Sequence, residues 1–214
     1  PSLIEIAQKY SSTLLVDDAH GVGVLGKKGM GICELFQGKP DILSGGLGKA
    51  FGCFGGFVAS NEVIIENLIQ FSRPYMYTSA LPPALAKAAY TSLLLLQTES
   101  WRREKLHRLI AYFKQMAQQL ELPLLPSQTP IQPILMRNTE QALALSAYLL
   151  QNGILVNAIR PPTVPENTSR LRISLSALHS ENEIDRLLDH IALGLKLIKI
   201  NDNPVRANTH CPAL

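Results

Sequence analysis

The chain has 214 residues, 46% of them hydrophobic, and a formal net charge of +3, with no basic run longer than a pair such as Lys27-Lys28. That length and composition suit one large or two small cored domains and argue against a nucleic-acid surface. Cys33, Cys53 and Cys211 are odd in number and lack metal-ligand spacing, and the densest apolar run, Leu93 to Leu96, is far too short to span a bilayer. With no signal-peptide pattern, reduced thiols in the cytoplasm, no metal and no membrane partner are expected, and the sequon Asn167-Thr168-Ser169 is expected to go unused.

The first residue, Pro1, is compatible either with removal of an initiator methionine or with an excised fragment. Ser2 to Tyr10 reads as a short amphipathic helix with Leu3, Ile6, Ala7 and Tyr10 on one face. Thr13 to Val16 is a continuous apolar run of the kind found in strands buried on both faces, and it delivers Asp17-Asp18-Ala19-His20 to its C-terminal end. Carboxylates there call for a cationic partner, such as a protonated ring nitrogen, or else cap a loop.

Gly21, Gly23 and Gly26 fit the G-x-G-x-x-G spacing behind a strand, but Lys27-Lys28-Gly29-Met30-Gly31 continues as loop where a dinucleotide site needs a helix. The segment Asp41 to Ser60 sets Lys49 among six glycines, between Ile42-Leu43 and Phe57 to Ala59, which predict short buried strands. It is not a P-loop, because residue 50 is alanine and the motif's earlier glycine falls on Leu43. A lysine in a partly desolvated pocket has a lowered pKa and attacks aldehydes. The same pattern also suits a surface lysine in a flexible loop, and Cys53 nearby suits a small core position.

Ser60 or Asn61 is expected to cap a helix running to about Ser72 and ended by Arg73-Pro74. Tyr75 to Leu81 then reads as loop or short strand, and Pro82-Pro83 starts a helical region that Thr98-Glu99-Ser100 divides before Leu120. Beyond a boundary placed there come an apolar segment at 131–136, a helix at 139–152 ended by Gly153, and a strand at 154–159. Leu171, Ile173 and Leu175 alternate with Arg170, Arg172 and Ser174, as in a half-buried strand. Ser180 with Glu183 forms a capping box for a last helix, and the tail from Asn201 is polar.

VDDAHGVGVLGKKGMG, GLGKAFG, RPYMYTSALPP and AIRPPTVPENTSRLRISLSALH, in that order, resemble the C-terminal part of the α-oxoamine synthases, a family of fold-type I pyridoxal 5'-phosphate (PLP) enzymes. The resemblance covers residues 1–197. It implies an α/β fold, with residues 1–100 as part of the cofactor-binding large domain and 101–199 as a smaller C-terminal α/β domain; the polar composition beyond predicts a disordered tail at 200–214. It implies that Lys49 forms the internal aldimine and moves the substrate α-proton, that Asp17 pairs with the pyridine nitrogen, and that His20 bonds the ring hydroxyl. Thr78 and Ser79 would reach a phosphate across a homodimer interface, and Arg172 would hold an amino-acid carboxylate.

AIRPPTVP followed by RLR implies the branch that condenses L-alanine with pimeloyl-CoA, or a pimeloyl carrier protein, in biotin synthesis, rather than the 2-amino-3-ketobutyrate ligases. Two departures go with it. Gly46 stands where the family has a threonine, and the family's phosphate loop and ring-stacking histidine lie outside this sequence. The expectation is therefore a chain inactive in isolation, the alternatives being a non-catalytic remnant or interaction module of the family, or another α-oxoamine synthase such as a 2-amino-3-ketobutyrate ligase.

Overall fold

The computed structural model describes residues 2–201. Residues 202–214 of the expected disordered tail, Cys211 among them, lie outside the described residues, whereas residues 200 and 201 belong to the last helix rather than to a tail. The chain divides into two compact units, Pro1–Arg103 and Glu104–Leu214.

The first unit runs α1 (Ser2–Lys9), β1 (Leu15–Asp17), α2 (Ile32–Leu35), β2 (Ile42–Gly46), β3 (Gly56–Ala59), α3 (Glu62–Phe71), α4 (Arg73–Met76) and α5 (Pro83–Thr98). Its sheet has the order β1-β2-β3. β1 runs parallel to β2 with Asp17 opposite Ser44, and β2 runs antiparallel to β3 with Gly45 opposite Phe57. Two sequence expectations change here. β1 is an edge strand paired only with β2 among the described residues, and Leu15 is 59% exposed rather than covered on both faces. The apolar stripe of α1 is likewise uncovered at Leu3, Ile6 and Tyr10.

Asn61 caps α3, its side chain accepting the Ile64 N–H at 3.0 Å. Arg73-Pro74 opens a further short helix, α4, where loop or strand was expected, because proline lacks only an N–H that a first turn leaves unused. Pro82 precedes α5 as the spacing predicts.

Helix α6 (Trp101–Gln119) straddles the boundary, and the second unit continues with β4 (Ile131–Arg137), α7 (Thr139–Gln151), β5 (Asn157–Ile159), β6 (Ser169–Ser174) and α8 (Glu181–Asn201). Its sheet is antiparallel, in the order β4-β6-β5. The strand expected at 154–159 shortens to Asn157–Ile159, because Gly153 takes φ +73° and the Ile154 N–H turns back to the Leu149 carbonyl at 2.9 Å, closing α7. The core is concentrated in this unit. Among the described residues, every buried apolar side chain except Phe51 lies at Leu106 or beyond, centred on Phe113, Ile134, Leu145, Leu171 and Leu188. The Ser180–Glu183 capping box is formed as expected, the Ser180 N–H reaching the Glu183 carboxylate at 2.8 Å.

Candidate functional site

Parallel pairing brings the C-terminal ends of β1 and β2 to one edge of the sheet, and the chain leaves that edge through two loops. The first begins with the aspartate doublet. Asp17 is exposed, and its Oδ1 accepts the Ala19 N–H at 2.9 Å. Asp18 is 7% exposed: its N–H donates to the Ser44 carbonyl at 2.9 Å, and its Oδ2 accepts the Ile32 N–H at 2.7 Å. Each aspartate therefore lends a carboxylate oxygen to its loop, Asp18 from a buried position and Asp17 from an exposed one at the strand end. His20 is exposed in the turn closed by the Gly21 and Val22 N–H groups on the Asp18 carbonyl.

Residues 21–31 form a loop, bridged at Val22 and Met30, with no helix to receive a pyrophosphate. Glu34 organises its far side, where the carboxylate accepts the Lys28 and Met30 N–H groups at 2.9 and 3.1 Å, and those amides hold it below the ordinary glutamate range. Arg103 is buried, donating from Nη1 to the Leu96 carbonyl at 2.6 Å and from Nη2 to the Lys27 carbonyl at 2.7 Å. Sequence reading singled out neither Glu34 nor Arg103. The signal for Glu34 was a carboxylate just beyond a glycine-rich turn whose amides need acceptors. Cys33 sits beside this loop, its thiol pushed up by burial and by the Asp18 carboxylate.

The second loop carries Lys49. It closes with the Leu47 N–H on the Gly55 carbonyl and the Cys53 N–H on the Leu47 carbonyl, both at 2.9 Å. Phe51 is 8% exposed, and its carbonyl accepts the Ser92 hydroxyl at 2.8 Å, while the Cys53 thiol donates to the Leu85 carbonyl at 3.2 Å. Helix α5 thus pins this loop at two points. Lys49 itself is exposed, so the desolvated pocket considered from the sequence is not formed by the described residues. Gly46 ends β2 with room for a side chain: a Cβ there would meet the Ala19 Cβ at 3.4 Å, an ordinary contact.

The other sequence candidates lie in separate places. Thr78 and Ser79 are exposed in the link between α4 and α5, and Leu81, just beyond, stands with Leu47 beside Gly55 of the lysine loop. Arg172 belongs to the second unit, exposed on β6 opposite Pro133 and Asn157, whereas Arg170 is half-buried and its Nε donates to the Thr168 carbonyl at 2.9 Å. A cavity of about 330 Å³ lies at the opposite end of β1 from Asp17, lined by Ile4, Ala7, Thr13, Leu14 and Lys39 among others. Among the described residues no metal-ligating cluster occurs, and no helix is long and apolar enough to cross a membrane.

A parallel strand pair whose shared end presents an aspartate, a histidine and a loop lysine, followed by a separate α/β unit, corresponds to part of a fold-type I α/β architecture. The chain belongs to the aminotransferase class I and II family, whose model matches residues 2–191. It is 54% identical over 194 residues to 8-amino-7-oxononanoate synthase of Nitrosococcus oceani, covering 89% of this chain and 52% of that protein. The same-named protein of Stutzerimonas stutzeri is 52% identical over 195 residues, covering 90% and 50%. The chain therefore spans about half the length of the curated relatives it matches.

Among solved structures, 8-amino-7-oxononanoate synthase of Francisella tularensis superposes with a TM-score of 0.80 at 35% identity, covering 92% of this chain and 59% of that one. Serine palmitoyltransferase of Sphingomonas wittichii superposes with a TM-score of 0.86 at 30% identity, over 92% and 51%. A structure described as SPT with the PLP internal aldimine gives 0.87 at 30% identity, again over 92% and 51%. These likenesses bear out the family resemblance carried by the motifs.

Proposed function

We propose that, within its full-length protein, this chain supplies the lysine, the aspartate and the substrate arginine of a cytoplasmic PLP-dependent acyltransferase. That enzyme condenses L-alanine with pimeloyl-CoA, or a pimeloyl carrier protein, to 8-amino-7-oxononanoate in biotin synthesis, with release of carbon dioxide and of coenzyme A or the free carrier thiol. The observation that carries the reading is the placing of Asp17 and Lys49 at the same end of two parallel strands, in a chain 54% identical to a relative of that name.

The groups at this edge fit the cofactor by their chemistry: a primary amine, an imidazole, and a carboxylate that lends one oxygen to its own turn. When bound, the cofactor supplies an aldehyde carbon and an electron-withdrawing pyridine ring. Lys49 would attach it through the amine and move the proton at the alanine Cα. Asp17 would keep a proton on the ring nitrogen, since an opposite charge favours the charged form. His20 would hydrogen-bond the ring hydroxyl, and Thr78 and Ser79 would donate hydroxyls to the phosphate in a homodimer. Arg172 would pair with the alanine carboxylate through its planar fork, a role supported by its exposure on β6, where Arg170 is already engaged.

Borohydride reduction of the full-length protein with its cofactor, followed by peptide mapping, tests the assignment. The pyridoxyl label is expected on Lys49; label on another lysine overturns it. No label at all favours a second reading, a non-catalytic member of the family.

A further inference from the structure

The loop leading from Asp17 and His20 meets the loop bearing Lys49 where Gly23 approaches Ala50. A Cβ placed on Gly23 would stand 2.5 Å from the Ala50 Cβ and 3.2 Å from Leu96 Cδ1, closer to Ala50 than side chains approach one another. Both sides of this contact are held from behind. The Gly23 N–H donates to the Gly29 carbonyl at 2.8 Å. Gly29 in turn lies against Leu96 and Arg103, and buried Arg103 ties the Lys27 carbonyl to the end of α5. On the other side Ala50 lies between Lys49 and Phe51, and the Phe51 ring is buried with its carbonyl bonded to Ser92. A displacement of Ala50 is therefore a displacement of the lysine's own backbone.

We propose that Gly23 is a positioning residue for Lys49: having no side chain, it seats Ala50 and sets the lysine-bearing loop against the turn that presents Asp17 and His20. The proposal rests on the reading that Lys49 and Asp17 serve one cofactor. Nothing in it requires Gly23 to touch cofactor or substrate. Bulk at position 23 moves the amine relative to the carboxylate, and displacements on the order of 1 Å cost about 100-fold in rate.

The test uses the full-length protein with Gly23→Ala, Ala50→Gly and the double variant, read by amide hydrogen exchange across residues 47–55 and by steady-state kinetics. Gly23→Ala is expected to speed exchange in 47–55 and to lower kcat about 10- to 100-fold while the alanine KM moves less than about twofold. The double variant removes the colliding Cβ and is expected to recover most of both losses, the left-handed φ of residue 23 accounting for the remainder. A double variant as impaired as Gly23→Ala overturns the proposal, since backbone strain alone would then explain the effect. So does a Gly23→Ala protein unchanged in both readouts.

If Gly23→Ala does not fold, Ala50→Val applies the bulk from the lysine side, where a stiff β-branched side chain has few rotamers with which to avoid Gly23. Faster exchange across 21–31 is then expected, and unchanged exchange there overturns the proposal. Borohydride label on a different lysine in the parent protein defeats the cofactor reading instead, while the exchange data still decide whether the two loops are coupled.

Discussion

Single residues at the strand end show how environment divides labour between identical side chains. Asp18 spends its carboxylate on the Ile32 N–H and is buried, whereas Asp17, its neighbour, remains exposed. The proposed role of Asp17 is electrostatic, so in the full-length enzyme Asp17→Asn is expected to slow exchange of the alanine α-proton by about 100- to 1,000-fold while cofactor retention changes far less. Isotope exchange and spectrophotometric cofactor titration measure the two separately, and an exchange rate within a few-fold of the parent contradicts the role. Arg172→Met is expected to raise the alanine requirement by about 10- to 150-fold with PLP binding nearly intact. Arg170→Met, whose parent side chain is tied to Thr168, should leave the alanine requirement unaltered; an equal effect at both arginines means that the wrong one has been chosen. The setting of Lys49 was legible because glycine spacing is a local property of the sequence. Arg103 was not, since its partner Lys27 lies 76 residues away in the chain and an arginine on a helix carries no mark of burial.

Two helix starts were legible because short-range chemistry decides them. Asn61 and the Ser180–Glu183 box form as their residue types dictate. Asn138, which the sequence reading passed over, caps α7 by accepting the Glu140 N–H at 2.7 Å and the Gln141 N–H at 3.2 Å. Asn138→Ala is expected to cost about 1 kcal/mol and Asn138→Gly only a few tenths, as measured by urea unfolding. The capping box also gives a pH dependence. The Ser180 N–H and hydroxyl hold the Glu183 carboxylate below its ordinary value of 4.5, so its contribution is present above that value and is lost as pH falls through the lower folded one. Unfolding midpoints followed downward from about pH 6 should therefore fall less steeply in Glu183→Gln than in the parent protein. An equal slope in both contradicts the linkage. Two elements that differ from expectation, α4 and the shortened β5, depend on competition: a proline at a helix start, and an α7 cap that draws Ile154 back before the strand can begin.

Across the whole chain, burial is divided unequally. The second unit holds a core in which Phe113, Ile134, Leu145 and Leu171 are fully buried, and Phe113→Ala there is expected to cost about 3 to 5 kcal/mol. The first unit buries Phe51 and leaves β1 as an open edge with Leu15 and the α1 stripe exposed. The apolar run at Thr13 to Val16 spoke of a strand covered on both sides, a demand that the described residues do not meet. The 214-residue chain expressed alone is therefore expected to show no condensation of alanine with pimeloyl-CoA and to bind PLP weakly or not at all. Limited proteolysis should leave a fragment from the second unit. Coenzyme A release by the isolated chain, or a resistant core from residues 1–100 instead, counts against this.

The seating of Asp18 has a consequence for how the sequence can change over generations. Side chains added at Gly21 or Gly31 would run into its carboxylate, and that carboxylate fastens Ile32. Positions 18, 21 and 31 are therefore expected to be constrained together: a side chain at either glycine displaces the carboxylate, and two of the three are already as small as an amino acid can be. A saturation library scored for folded protein should find these positions nearly closed to every replacement, while Asp17, one residue away and exposed, should accept many replacements that fold and, if its proposed role holds, fail only in turnover.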